Sequence, residues 1–81
     1  MQVRAKFIVE ERVMMADGGD RVKLRPVHGG SPENAQFFNY TPGGNIDLQV
    51  MNRRAAESFV PGKEMYVDFT PVGAQETAET A

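Results

Sequence analysis

Apolar and polar residues alternate along four stretches of the chain, and turn-forming residues separate these stretches. The clearest example is residues 64–70, where Met65, Val67 and Phe69 share one side and mainly polar residues share the other. A period of two is typical of a β-strand with one buried and one solvated face. The same pattern predicts three further strands, at residues 2–14, 21–25 and 45–51.

The first of these strands is long, and its pattern breaks in the second half. The alternation from Val3 to Val9, if it continued, would place Glu11 among the buried residues. Apolar residues return at Val13, beyond the break. We therefore predict a β-bulge near Glu10 and Glu11, in preference to an exposed far end of the strand.

Glycine, proline and aspartate residues mark the turns. Asp17 and Asp20 flank two glycines that can adopt the positive φ of hairpin turns, and turn chemistry accounts for both aspartates. Pro26 has no backbone N–H, so the second strand ends there or lies at a sheet edge. Residues 60–63, Val-Pro-Gly-Lys, predict a tight turn before the last strand.

A first short helix is predicted from its capping residues. Ser31 is a suitable N-cap, and Pro32 suits the first helical position because its missing N–H would be unpaired there in any case. We expect this helix to extend to Tyr40. Ala35 and Phe38 would then face the sheet.

A second short helix is predicted between the third and fourth strands. Asn52 can cap a segment from Arg53 to Phe59. Within that segment Ala55, Ala56 and Phe59 have the spacing of one apolar helix face. The turn at residues 60–63 ends the helix.

The order of these elements is β-β-α-β-α-β. We predict an α+β, mainly β fold, in which four antiparallel strands form a small curled sheet or barrel of the SH3-like or OB-like kind, with one or two short helices. Residues 1–72 would form a single domain and residues 73–81, which lack large apolar side chains, a disordered tail. The predicted core consists of Val3, Phe7, Val9, Val22, Leu24, Ile46, Leu48, Val50, Met65, Val67 and Phe69, capped by Phe38 and Phe59.

The composition offers little catalytic chemistry. The 81 residues include no cysteine and a single histidine, His28, which lies beside two glycines. A general base needs an orienting group and a nucleophile, and a metal ligand needs companions at defined spacing; neither surrounds His28. We therefore predict that the protein is not an enzyme and binds no cofactor and no metal. No apolar run approaches the roughly 20 residues of a membrane helix, and we predict neither a membrane partner nor a signal peptide.

The basic residues predict an alternative, nucleic-acid-binding function. The net charge is −2, which opposes phosphate binding. Five bases nevertheless fall on the outer faces of the first two strands, namely Arg4, Lys6, Arg21, Lys23 and Arg25. A basic sheet face with aromatic residues is how OB-like barrels hold single strands. Exposed Lys and Arg are equally the ordinary defence of strand edges against aggregation, and we favour a solvated face.

Three aromatic residues are candidates for contact with another protein. Phe37 and Phe38 are adjacent on a short helix, so both cannot face the core. We predict that Phe37, Tyr40 and Tyr66 form a partner-binding surface, because exposed aromatic side chains often anchor interfaces. The alternative is that the helix aromatics wrap around the end of the barrel.

Parts of the sequence resemble a family of short, uncharacterised proteins encoded by bacteriophages. The likeness covers nearly all of the chain up to Pro71, and its most specific part is the last strand with its turn. It lies in residues 3–7 (VRAKF), 31–34 (SPEN), 37–38 (FF), 41–44 (TPGG) and 61–71 (PGKEMYVDFTP). The resemblance implies a phage gene product acting in the host bacterial cytoplasm or within the virion. That family has no assigned activity, so no functional residues carry over.

These observations predict a non-enzymatic phage accessory protein that acts by protein–protein binding. Its partner would be a virion component or a host factor. Contact would be made through a sheet edge or the region from Phe37 to Tyr40, and strand addition at an open edge is the simplest mechanism. The alternative is an OB-like protein that binds single-stranded nucleic acid.

Overall fold

The computed structural model describes residues 3–73, and the predicted order of elements is confirmed. The fold is α+β and mainly β, as the alternation predicted. The predicted tail falls outside the described residues, apart from Gly73. The elements are β1 (Val3–Met14), β2 (Asp20–Pro26), α1 (Pro32–Tyr40), β3 (Ile46–Val50), α2 (Arg53–Ala56) and β4 (Glu64–Phe69).

The four strands form one antiparallel sheet in the order β3-β2-β1-β4. The sheet curls into a half-barrel, as predicted, and its two edge strands are β3 and β4. The inner side of the curl carries the apolar residues of each strand, and the outer side carries most of the charges. Because the sheet does not pair β3 with β4, the half-barrel is open along one side.

The predicted β-bulge is confirmed. Val9 pairs with Leu24 and Glu11 pairs with Lys23, so Glu10 is the extra residue between them. The bulge also holds the turn before β4, because Val9 donates to the carbonyl of Lys63 (3.0 Å) and accepts from the N–H of Gly62 (2.8 Å). Beyond the bulge, the inner side of β1 continues with even-numbered residues.

Both predicted turns are present, but the glycines of the hairpin have different roles. Gly18 has a φ of +100°, which is the conformation that favours glycine in a turn. Gly19 has no positive φ and is buried; a Cβ there would lie 2.7 Å from the sulfur of Met51. In the other turn, Gly62 has a φ of +92° and Lys63 donates to the carbonyl of Val60 (2.9 Å).

The core is smaller than predicted. The fully buried cluster on the inner side consists of Ala5, Phe7, Val9, Val22 and Leu24, with Ile46, Val50, Phe59, Met65 and Val67 packed half-buried against it. Three predicted core residues are wrong, because Val3 and Phe69 are each 53% exposed and Leu48 is 43% exposed. β4 pairs with residues 3–8 of β1, whereas β3 reaches only the part of β2 that lies beside the other half of β1. The inner side around Val3 and Phe69 therefore has no part of β3 opposite it, and the inner side around Leu48 has no part of β4 opposite it.

The cap of α1 is confirmed, but the side of the sheet on which it packs was predicted wrongly. Ser31 Oγ accepts a hydrogen bond from the N–H of Asn34 (3.0 Å). Ala35 and Phe38 are exposed rather than packed on the apolar face. Phe38 instead lies against the ring of His28, with 6.1 Å between ring centroids.

α1 contacts the outer side of the sheet through a different face of the helix. Glu33 accepts from Lys6 (3.2 Å), and Asn34 donates to Glu64 (2.8 Å). Phe37 lies next, one turn further along. These polar contacts place α1 on the charged outer side of the sheet, because tertiary contacts outweigh the local sequence pattern.

α2 begins as predicted and is shorter than predicted. Asn52 Oδ1 accepts from the N–H of Arg54 (2.9 Å), but the helix ends at Ala56 and continues only as tight turns to Phe59. Ala56 is fully buried and Phe59 is half-buried against the core, whereas Ala55 is exposed. Among residues 3–73, no helix is both long and apolar enough to cross a membrane.

Candidate partner-binding site

The open side of the half-barrel is an apolar groove between β3 and β4. It encloses about 300 Å³. Its lining consists of Leu24, Ile46, Leu48, Phe59, Met65 and Val67, together with parts of Tyr66 and Asp68. The floor is therefore the inner side of the sheet, and α2 leads into Phe59 at the groove wall.

The groove runs along a strand edge that has no neighbour in the part of the chain that the structure describes. Met65 and Val67 point inward, but Tyr66 and Asp68 point outward, so their place in the lining shows that the backbone of β4 borders the groove. Within residues 3–73, β4 pairs only with β1, and β3 pairs only with β2. The N–H and C=O groups along a free edge are available to another strand.

A buried carboxylate fixes the end of the inner side near the hairpin. Asp20 is completely buried, and its carboxylate accepts from Arg12 Nε (2.6 Å). Arg53 Nη2 lies 3.2 Å from the second carboxylate oxygen and donates to the carbonyl of Gly18 (3.1 Å). This arrangement connects the start of α2 to the hairpin, next to the groove.

Asp20 was wrongly predicted to be a turn residue. Only Asp17 has that role, because its Oδ1 accepts from the N–H of Gly19 (3.1 Å). Arg12 faces Asp20 because the bulge moves Arg12 to the inner side, opposite Val22. The bulge was the only signal in the sequence that could have indicated this ion pair.

The three aromatic residues predicted to bind a partner are brought together on the outer side. Phe37 and Tyr66 lie with their ring centroids 6.0 Å apart. Tyr40, which is 80% exposed, shares a small surface pocket with Phe37. Phe37 is half-buried, so the surface consists mainly of the two tyrosines.

Charged neighbours hold Tyr66 in place. Its hydroxyl donates to Glu33 (2.6 Å). This hydrogen bond raises the pKa of Tyr66 and lowers the pKa of Glu33. Arg4 and Lys6 lie 4.7 Å and 5.7 Å from the ring centroid. Burial lowers the pKa of Lys6, but hydrogen bonds to Glu33 and Glu64 outweigh burial, so the pKa is raised overall.

Each of the five bases proposed to bind nucleic acid has a carboxylate within 4 Å. These bases lie on β1 and β2, the two central strands, so they do not protect the sheet edges as predicted. The ion pairs are Arg4–Asp68 (2.7 Å), Lys6–Glu33 (3.2 Å), Lys6–Glu64 (3.4 Å), Arg21–Asp47 (2.8 Å), Lys23–Glu11 (3.8 Å) and Arg25–Glu10 (3.2 Å). The outer side is thus a mixture of both signs.

Two of these pairs are bidentate. Arg4 donates to both oxygens of Asp68, and Arg21 donates to both oxygens of Asp47. The hydrogen bonds lower the pKa of each aspartate and raise the pKa of each arginine. Both aspartates belong to edge strands and both arginines to central strands.

Asn34 is a structural residue that the sequence did not reveal. It is buried, and its amide donates to the carbonyl of Gly29 (2.8 Å) and to Glu64. It therefore connects the loop before α1 to the start of β4. Its position among ordinary helix residues gave no sign of this role.

Residues 3–73 contain no cluster of three or more His, Cys, Asp or Glu side chains that could hold a metal ion. Comparison with protein-family models, curated proteins and solved structures finds no match to the chain. The resemblance to phage proteins stays a prediction.

Proposed function

We propose that the chain is a non-enzymatic binding protein that holds an extended segment of another protein on the open side of its half-barrel. The observation that carries this proposal is the coincidence of an apolar groove with a free strand edge. An added strand would pair with the backbone of β4 and place alternate side chains in the groove. The added strand would thus cover the apolar residues of the groove and pair with the free backbone groups of β4.

The aromatic surface supports the same proposal as a second point of contact. Tyr66 belongs to β4 and its ring centroid lies 6.0 Å from that of Phe37, so a strand added beside β4 would run next to a residue of this surface. Tyrosine contributes apolar area with little loss of conformational entropy. The resemblance to phage proteins proposes a virion component or a host bacterial factor as the partner, in the host cytoplasm or the virion.

Single-stranded nucleic acid stays an untested alternative that no observation favours. Its five proposed contacts are all paired with carboxylates, so binding phosphate would require breaking ion pairs.

Selection from a randomised peptide library on the immobilised chain tests the proposal. Two variants make a matched pair, because Leu48 in the groove and Val13 on the outer side are each 43% exposed. We expect the selected peptides to lose binding to Leu48→Lys and to retain it with Val13→Lys. Peptides that bind both variants equally well would contradict the groove as the site.

A further inference from the structure

We propose that the segment bound in the groove alternates apolar residues with Lys or Arg over about six residues, which is the length of β4. This inference rests on the proposed function and adds the chemistry of the partner. It follows from the different surroundings of the two sides of the added strand, which would be apolar on the inner side and acidic on the outer side.

The inner side of the added strand must be apolar. Its alternate side chains point towards Leu24, Leu48 and Phe59 across the groove. A polar side chain placed there would lose its hydrogen bonds to water without gaining a partner. Apolar residues at every second position are therefore required.

The outer side of the added strand would lie beside acids. The outward residues of β4 include Glu64 and Asp68, and those of β3 include Asp47. Neither edge strand contains Lys or Arg. Side chains directly opposite each other on neighbouring strands attract when their charges differ and repel when they match.

Asp68 and Asp47 are paired on one flank only. Asp68 and Asp47 receive arginines from β1 and β2, which lie on the inner flank of each edge strand. Each keeps more than a third of its side chain exposed, and so does Glu64. A carboxylate has about four acceptor positions, so a base from an added strand can bind the open flank.

The same charges disfavour a second copy of this chain as the occupant. Pairing between two copies would bring edge strands together, and these offer acids but no bases. A foreign segment with basic outward residues satisfies the edge, whereas the edge strands of a second copy do not.

Three synthetic peptides of about eight residues, capped at both ends, test the inference. They alternate Val with Lys, Val with Glu, or Val with Ser. We expect the Val–Lys peptide to bind at least tenfold more tightly than Val–Glu, with Val–Ser between them. We also expect the preference to shrink at high salt. Methylation of alternate backbone nitrogens of the Val–Lys peptide should abolish binding.

Charge reversals in the protein locate the preference. Asp68→Lys should weaken Val–Lys binding about fivefold and strengthen Val–Glu binding, and Asp68→Asn should give a smaller loss without a new charge near Arg4. Glu11→Lys makes the same change of charge on the outer side of β1 and should leave both affinities unchanged.

Other results would contradict the basic partner, the groove as a binding site, or the foreign origin of the bound segment. Equal binding of all three peptides, or tighter binding of Val–Glu, overturns the basic partner and leaves the proposed function standing. No binding of any peptide at about 1 mM overturns both. A dimer of the chain that the Val–Lys peptide does not dissociate overturns the foreign partner in favour of a second copy.

Discussion

The two sides of the sheet are built from the same four strands, but they differ in whether their side chains have partners. Charged side chains on the outer side are paired, whereas part of the apolar inner side is exposed to solvent. On the outer side, charged side chains from neighbouring strands pair with one another, and α1 adds Glu33 and Asn34 as partners for Lys6 and Glu64. On the inner side, apolar residues need a second layer, because a sheet buries its apolar face only against another element. The second layer in residues 3–73 is small. It consists of α2 and Phe59, which leave the groove between β3 and β4 open.

The comparison shows that charge content and available charge are different properties. The bases of β1 and β2 predicted an outer side able to bind phosphate, but their neighbours neutralise them. The apolar residues predicted one core that includes Leu48 and Phe69, but the curl of the sheet leaves both exposed. The bases of the outer side are paired with carboxylates, whereas part of the inner side that was predicted to be core is exposed to solvent.

The largest expected effect concerns the buried ion pairs of the inner side. Asp20→Asn should lower the free energy of unfolding by about 3 kcal/mol, because it leaves Arg12 without a charged partner. The value lies at the low end for such changes because Arg53 is partly solvated. Urea denaturation measures the change. The control Asp17→Asn, which retains the turn acceptor, should stay within about 0.5 kcal/mol of the unchanged protein.

A loss of binding should distinguish the two sides more sharply than any loss of stability. Leu48→Ala should weaken the Val–Lys peptide about tenfold, which is the scale of losing one well-packed interface side chain. Val13→Ala should leave the affinity unchanged. Isothermal titration calorimetry measures both, and equal losses would remove the distinction between the two sides.

The outer side should make stability depend on acid. The pKa of Asp68 and of Asp47 is lowered in the folded state, so the folded protein binds protons less readily than the unfolded chain at these groups. Their contribution is complete above the ordinary aspartate pKa of about 3.9 and is lost as the pH falls through the lower folded values. Urea midpoints from pH 6 down to acid should fall less steeply in Asp68→Asn. An unchanged slope would show that the Arg4 pair does not contribute.

The smallest expected effect is on stability when a single exposed pair is removed. Glu10→Gln should change the free energy of unfolding by at most about 0.5 kcal/mol, because Arg25 and Glu10 are both well solvated.

The double variant Glu10→Gln/Glu11→Gln removes the carboxylate partners of two bases, Arg25 and Lys23. We expect it to gain weak, salt-sensitive binding to single-stranded DNA in fluorescence anisotropy, and we expect none for the unchanged chain. Strong binding by the unchanged chain would favour the nucleic-acid function.

The strands, turns and caps could be predicted from the sequence because their signals are local. The bulge after Val9, the turn at Gly62 and the cap at Ser31 each depend on residues a few positions apart. The side on which α1 packs depends on Glu33 and Lys6, which are far apart in the chain. No local pattern contains that information.

The candidate site was only partly visible in the sequence for the same reason. The structure brings Phe37, Tyr40 and Tyr66 together, because Phe37 and Tyr40 are neighbours on one helix and Tyr66 points to the outer side. Their role in binding a partner stays a prediction. The groove depends on how far the sheet curls and on where β3 and β4 end. Alternation assigns Leu48 to the inner side but does not show that nothing covers it.

The most direct measurement is an NMR titration of the isotope-labelled chain with the Val–Lys peptide. The account predicts that amide signals of residues 46–50 and 64–69 shift, and that amides along the free edge of β4 exchange more slowly with solvent when the peptide is bound. Shifts confined to Tyr40 and its neighbours, or to residues 21–25, would contradict the open groove as the binding site.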